Sequence, residues 1–287
     1  SIQQTSDDGY IVAGRSSYSN GNFSVSKLTS TGATEWQTLP GGSSLDYANS
    51  IQQTTDGGYI VAGYTQSNDG DVNGNHGSSD YWIVKLDSNG ILDWQRCLGG
   101  SSSDSANSIQ QTADGGYIVA GYANSNDGDV SLNQGGADYW VVKLDSEGLL
   151  KWQRCLGGSS TDYANSVRQT SDGGYIVAGY AYSYDGEASY NHGNSDFLVV
   201  KLDSDGVTEW KKCLGGTSTD QAYSVQQTSD LGYIVAGVTA SNDGDVSGNH
   251  GNYDFWVAKI EPQTTPTKPY QPLGPARGFP GKTYWYS

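Results

Sequence analysis

Methionine is missing altogether, and thiols, imidazoles and cations are scarce: the 287-residue chain has 3 Cys, 3 His and 15 Lys plus Arg against 31 Asp plus Glu. The resulting formal net charge of −16 disfavours nucleic acid and anionic membranes and leaves cations or neutral ligands as partners. No apolar run approaches the roughly 18–20 residues that span a bilayer. Because even position 1 is not Met, the expectation is a secreted chain from which a signal peptide has been removed, placed outside the cell or on its surface. Helical periodicity is lacking as well, which excludes solenoids built from helix pairs. Proline is nearly absent before residue 262, where only Pro40 occurs.

What the chain has instead is repetition. Trp36, Trp94, Trp152 and Trp210 recur every 58 residues, as do Asp80, Asp138, Asp196 and Asp254. Residues 50–107 and 108–165 agree at 44 of 58 positions, so repeat-equivalent positions are structurally equivalent. Each unit opens with S-I-Q-Q-T, turns at T-D-G-G and runs on through G-Y-I-V-A-G-Y, the pattern of a hairpin. A polar Asn/Asp/Gly loop leads to D-Y-W-V-V-K-L, and the turn D-S-x-G leads to L-x-W-Q-R-C-L-G-G. Four short strands per unit, here termed a to d from the axis outward, predict one propeller blade. Units near 1–49, 50–107, 108–165, 166–223 and 224–261 predict an all-β, five-bladed β-propeller over residues 1–261.

The pattern D-x-A-x-S-I, G-Y-I-V-A-G-Y, D-Y-W-V-V-K-L-D, then W and L-G-G, resembles the β-propeller repeat of secreted bacterial and archaeal proteins. The resemblance covers about residues 1–260 and implies the fold; it brings no catalytic residue with it. Two departures stand out. The first unit is nine residues shorter in its b–c loop, and the last lacks the W-Q-K-C-L-G-G strand.

The b–c loops carry Asp69, Asp71 and Asn73 in the second unit, Asp127, Asp129 and Ser131 in the third, and Asp243, Asp245 and Ser247 in the fifth. Oxygen side chains at alternate positions with intervening glycines suit Ca²⁺, which takes six to eight oxygens, so calcium is the candidate cofactor. Asx turns without an ion are the alternative. His76, His192 and His250, with Gln134 in the equivalent place, are expected to make loop hydrogen bonds. Cys97, Cys155 and Cys213 also repeat at 58 and are expected to be buried free thiols, since neighbouring sheets stand too far apart for a disulfide.

Asp46, Asp104, Asp162 and Asp220 precede strand a and offer the one glycosidase-like set of carboxylates, at the mouth of the channel, unless they cap turns and strands. Near-identical copies argue against separated acid and base roles. Trp82, Trp140 and Trp256 on strand c are either sugar-stacking platforms of a lectin-like module or inter-blade core.

Residues 262–287 form an extended Pro-rich C-terminal tail with Pro262, Pro266, Pro269, Pro272, Pro275 and Pro280. It ends in a strand-like stretch, so Pro280, Lys282, Thr283, Tyr284, Trp285 and Tyr286 are the expected subunit interface. About 26 extended residues reach up to roughly 85 Å, far beyond the ~18 Å radius of gyration of a 260-residue domain. A strand missing from the fifth unit and a spare strand in the tail predict a non-enzymatic structural or adhesive protein that assembles with itself by strand donation. A carbohydrate-binding propeller is the alternative.

Overall fold

A computed structural model describes residues 1–17 and 21–262. The tail interface expected at Pro280 and Lys282 to Tyr286 lies outside the described residues. Among the described residues, nineteen strands make five antiparallel sheets, one per repeat unit, each ordered as the chain runs. The first holds β1 (Ile2–Gln4), β2 (Tyr10–Arg15), β3 (Phe23–Leu28) and β4 (Thr34–Thr38). The second holds β5 (Asp46–Gln53), β6 (Tyr59–Thr65), β7 (Asp80–Leu86) and β8 (Leu92–Leu98). The third holds β9 (Asp104–Gln111), β10 (Tyr117–Ala123), β11 (Asp138–Leu144) and β12 (Leu150–Leu156). The fourth holds β13 (Asp162–Gln169), β14 (Tyr175–Ala181), β15 (Asp196–Leu202) and β16 (Thr208–Leu214). Among the described residues the fifth holds three: β17 (Asp220–Gln227), β18 (Tyr233–Thr239) and β19 (Asp254–Ile260). The architecture of the described residues is thus all-β and propeller-like, with four four-stranded sheets and one of three strands.

Strands b and c of the middle units are apolar on both faces because each sheet is sandwiched between two others. β7, β11 and β15 are buried at every position. Each unit's forward face packs on the next unit's back face through an aromatic pair on strand c: Phe23 on Trp82 at 4.4 Å, Tyr81 on Trp140 at 4.4 Å, Phe197 on Trp256 at 4.6 Å. Tyr139 meets Leu198 instead, and its hydroxyl donates to the Leu198 carbonyl at 2.9 Å. The strand d tryptophans lean across in the same sense, Trp36 on Tyr59, Trp94 on Tyr117, Trp152 on Tyr175 and Trp210 on Tyr233, at 5.5–5.7 Å.

Strand a carries a bulge in each unit from the second onward, at Asn49, Asn107, Asn165 and Tyr223. The bulge frees the asparagine amides to donate forward, to the carbonyls of Ala106, Ala164 and Ala222 at 2.7–2.9 Å. The glycine opposite is required: a Cβ on Gly121 would stand 2.0 Å from the Ser105 carbonyl oxygen. Lys27, Lys85, Lys143 and Lys201 lie buried between sheets, each held at 2.8–3.0 Å by the Asp of its own b-hairpin turn.

Tryptophans 82 and 140 are fully buried in this core, so they are not sugar platforms; no ring face is left for a glycan. Trp256, in the end unit, is half-buried against Phe197. The forward face of the fifth unit is not covered by the first, whose strand c presents Ser24 and Ser26 where Trp82 and Val84 stand in the second. With no tryptophan there, the aromatic pair that joins three of the four consecutive pairs of units cannot be made. Removing a fully buried tryptophan typically costs about 3–5 kcal/mol, so Trp140→Ala should lower the urea midpoint far more than Trp256→Ala.

Candidate functional site

Between consecutive sheets runs a Gly-Gly linker, and the b–c loop of the following unit clasps it. Asp69, Asp127, Asp185 and Asp243 accept from the backbone amides of Ser43, Ser101, Ser159 and Thr217 at 2.7–2.8 Å. Two positions on, Asp71, Asp129, Glu187 and Asp245 accept from Gly41, Gly99, Gly157 and Gly215 at 3.1–3.3 Å. Asn73 accepts at its carbonyl from Gln95, and Ser131 Oγ is bonded by Gln153. Ser247 lines a hollow at the fifth unit's end face. The carboxylates of Asp69, Asp71, Asp127, Asp129, Asp243 and Asp245 thus accept from linker amides, and among the described residues no group of three or more His, Cys, Asp or Glu is placed to hold a metal ion.

A second carboxylate closes each junction from inside. Asp46, Asp104, Asp162 and Asp220 are fully buried and do not line a channel mouth. They accept from the second linker glycine, Gly42, Gly100, Gly158 and Gly216, at 2.8–2.9 Å, and from Ser67, Ser125, Ser183 and Ser241 hydroxyls at 2.7–3.2 Å. They cap the entry to strand a rather than face solvent as acid and base.

Facing three of these stand Asp80, Asp138 and Asp196, also fully buried. A Cβ on Gly99 would meet Asp80 Oδ1 at 2.5 Å and Asp104 Oδ2 at 2.7 Å; Gly157 and Gly215 are flanked in the same way. One oxygen of each, Asp80 Oδ1, Asp138 Oδ1 and Asp196 Oδ1, has no hydrogen-bond partner. Burial pushes the carboxyls of Asp80, Asp104, Asp138, Asp162 and Asp196 upward, and Asp138 reaches about 7 because its neighbour Asp162 adds to the burial and only the Gln134 amide opposes it. In the first junction the equivalent residue is Asn22, which carries no charge.

The histidines do make loop hydrogen bonds. His76, His192 and His250 place Nδ1 2.7–3.1 Å from Oδ2 of Asp80, Asp196 and Asp254, whose same oxygen accepts the histidine backbone amide. Gln134 keeps only the backbone bond, to Asp138 at 2.8 Å. Cys97, Cys155 and Cys213 are free thiols; burial pushes the first two up to about 12 and the third to about 11. The axis holds a cavity of about 270 Å³ lined by Ser50, Ile51, Gln52, Ile109, Gln110, Arg168 and residues 1–3.

The residues that set the fifth unit apart were not visible as a site in the sequence. Phe255 is 94% exposed, whereas its equivalents Tyr81, Tyr139 and Phe197 are fully buried. Val257 is 59% and Ile234 39% exposed, where Ile83, Val141 and Val199, and Ile60, Ile118 and Ile176, are fully buried. Lys259, paired with Asp230 at 2.7 Å, is a third exposed where its four counterparts are covered. Tyr223 replaces the forward-donating asparagine. Among the described residues the outer edge of β19 has no fourth strand, although β3, β7, β11 and β15 each have one. Beside it a hollow of about 250 Å³, lined by Val246, Ser247, His250, Asp254 and Phe255, opens where the other units lodge their outgoing linker. Gly77, Gly135 and Gly193 are crowded by that linker, while Gly251 has nothing within 4 Å. Open edge, apolar face and hollow together form the candidate site.

No family model and no curated protein matches the chain. Among solved structures, it is similar to a protein of unknown function from Bacteroides caccae, at 14% identity over 77% of this chain and 85% of that one, TM-score 0.29. It is similar to Sqt1 from Chaetomium thermophilum at 12% identity over 82% of this chain and 54% of that one, TM-score 0.44, and so spans about half of that protein. A protein of unknown function from Dyadobacter fermentans matches at 12% identity over 92% and 94%, TM-score 0.35.

The junction carboxylates give a pH dependence of defined sign. A carboxyl raised from 3.8 to about 7 favours the folded state while protonated, so its contribution is full below about 4 and is lost as pH rises towards 7. Asp138→Asn, which copies Asn22, should match the parent at pH 4 and be the more stable protein at pH 8. Thermal melts across that range check it, and an unchanged gap would contradict the assignment.

Proposed function

We propose that the chain is a non-enzymatic, extracellular structural protein that assembles with copies of itself through its C-terminal segment. In this reading the five units are the blades of a propeller, and the strand missing from the fifth blade is supplied by residues of the tail of a neighbouring copy. The observation that carries it is that, among the described residues, the fifth sheet has three strands: there the outer edge of β19 is open beside an exposed apolar face, while the other four sheets have four strands each. Main-chain hydrogen bonds to such an edge supply affinity, and alternate side chains supply specificity. A contact that joins the end of one molecule to another in the same sense each time need not close on itself, and where the rotation does not close it generates a filament.

The buried state of Asp46, Asp104, Asp162 and Asp220, each committed to linker amides, supports a structural rather than a hydrolytic role for the repeated carboxylates. No observation favours the carbohydrate-binding alternative, since the two best-placed tryptophans lie in the core.

Light scattering coupled to size exclusion, with negative-stain imaging, tests the reading on the full chain and on a chain stopped at Glu261. Ordered, concentration-dependent polymers of the full chain alone are expected. Monomers in both cases would refute self-assembly.

A further inference from the structure

Strand d begins in the same way in the first and fourth units: Gly32-Ala-Thr34-Glu-Trp36 and Gly206-Val-Thr208-Glu-Trp210. The second and third units keep the glycine and the tryptophan, as Gly90 to Trp94 and Gly148 to Trp152. In all four the glycine ends the c–d turn with positive φ, 76–85°, and the tryptophan sits opposite the buried strand c lysine. The same G-x-T-x-W spacing occurs once more, at Gly281-Lys-Thr283-Tyr-Trp285.

We infer that Thr283–Ser287 of a neighbouring copy is the fourth strand of the fifth sheet, antiparallel to β19 and in the register that the first unit already displays. There Thr34 faces Leu28, Trp36 faces Lys27, Gln37 faces Ser26 and Thr38 faces Val25. Carried across, Thr283 faces Ile260, Trp285 faces Lys259, Tyr286 faces Ala258 and Ser287 faces Val257. This rests on the assembly reading above and specifies its contact. The register puts Trp285 on the forward face, where the strand d tryptophans of the other units already lie, so it covers part of the apolar surface around Val257. Tyr284 falls at the position of Glu35, so Lys259 gains no second carboxylate; Lys143 shows that one suffices, since Lys151 holds that place in the third unit and Lys143 pairs with Asp114 alone.

The spacer argues for a neighbour rather than the chain's own edge. Strands c and d are joined by five residues in every complete sheet, 29–33, 87–91, 145–149 and 203–207. Here 22 residues, 261–282, with six prolines, separate Ile260 from Thr283. A hairpin needs a fraction of that length, whereas a span to another molecule uses it.

The test is cross-linking in the full chain. Facing residues of an antiparallel pair have Cβ atoms about 4.5–5.5 Å apart, close enough for a disulfide to form with small adjustment, whereas a one-residue slip turns a side chain to the other face of the sheet. Ala258→Cys with Tyr286→Cys should give, on mild oxidation, a ladder of disulfide-linked multimers in which peptide mapping joins 258 to 286. Mixing the two single variants should give a linked dimer, and Val257→Cys with Tyr286→Cys should not link. A 258–286 bond confined to monomers would keep the register and overturn the neighbour. Polymers that form without any 258–286 bond would overturn the register and leave the assembly reading standing.

Discussion

Everything in this molecule hangs on the Gly-Gly linker between consecutive sheets and on the carboxylates that hold its amides. A linker that crosses between two buried sheets exposes backbone groups that must find partners. Here one partner is a buried aspartate at the start of strand a, and two more come from the b–c loop of the unit the linker enters. Glycine is needed because the aspartates crowd the linker from both sides, leaving no volume for a Cβ at Gly99, Gly157 or Gly215. The orientation of each sheet relative to the last is thereby fixed, and the aromatic pairs on strand c meet at nearly the same distance each time.

The repeats break symmetry at the first and fifth units. The b–c loop of the first unit is nine residues shorter, and Ser24 and Ser26 take the places of Trp82 and Val84 on its strand c. In the fifth unit Tyr223 stands where Asn49, Asn107 and Asn165 reach forward to the next unit. Yet its forward face has kept Phe255, Val257 and Ile234 rather than turning polar as the first unit's back face has. A repeat protein usually caps its ends with polar surface. Among the described residues the first unit's back face follows that rule and the fifth unit's forward face does not, and the fifth sheet is also the one with an open edge.

Much of the fold is legible in the sequence because a 58-residue period fixes equivalent positions before any strand is assigned, and the alternation of turn residues with G-Y-I-V-A-G-Y and D-Y-W-V-V-K-L marks strands b and c directly. The incomplete fifth sheet is legible for the same reason, as a motif that fails to recur. The loops are not. Asp69-Gly-Asp71 has the spacing of an ion-binding loop, and spacing alone does not reveal that the acceptors face amides of a segment some thirty residues earlier. Trp82 and Trp140 could be assigned to core or surface only once it was known that strand c is covered on both faces. Nor could the paired carboxylates be foreseen, since Asp80 and Asp104 belong to different units and meet only across the linker.

The central claim is that the edge of β19 is completed by another molecule. Amide hydrogen exchange on the full chain, followed from dilute to concentrated solution, reads that edge directly. The account predicts that amides of β19 exchange freely when dilute and become protected as concentration rises, while those of β7, β11 and β15 are protected throughout. Protection of β19 that is already complete at the lowest concentration, or absent at the highest, would contradict it.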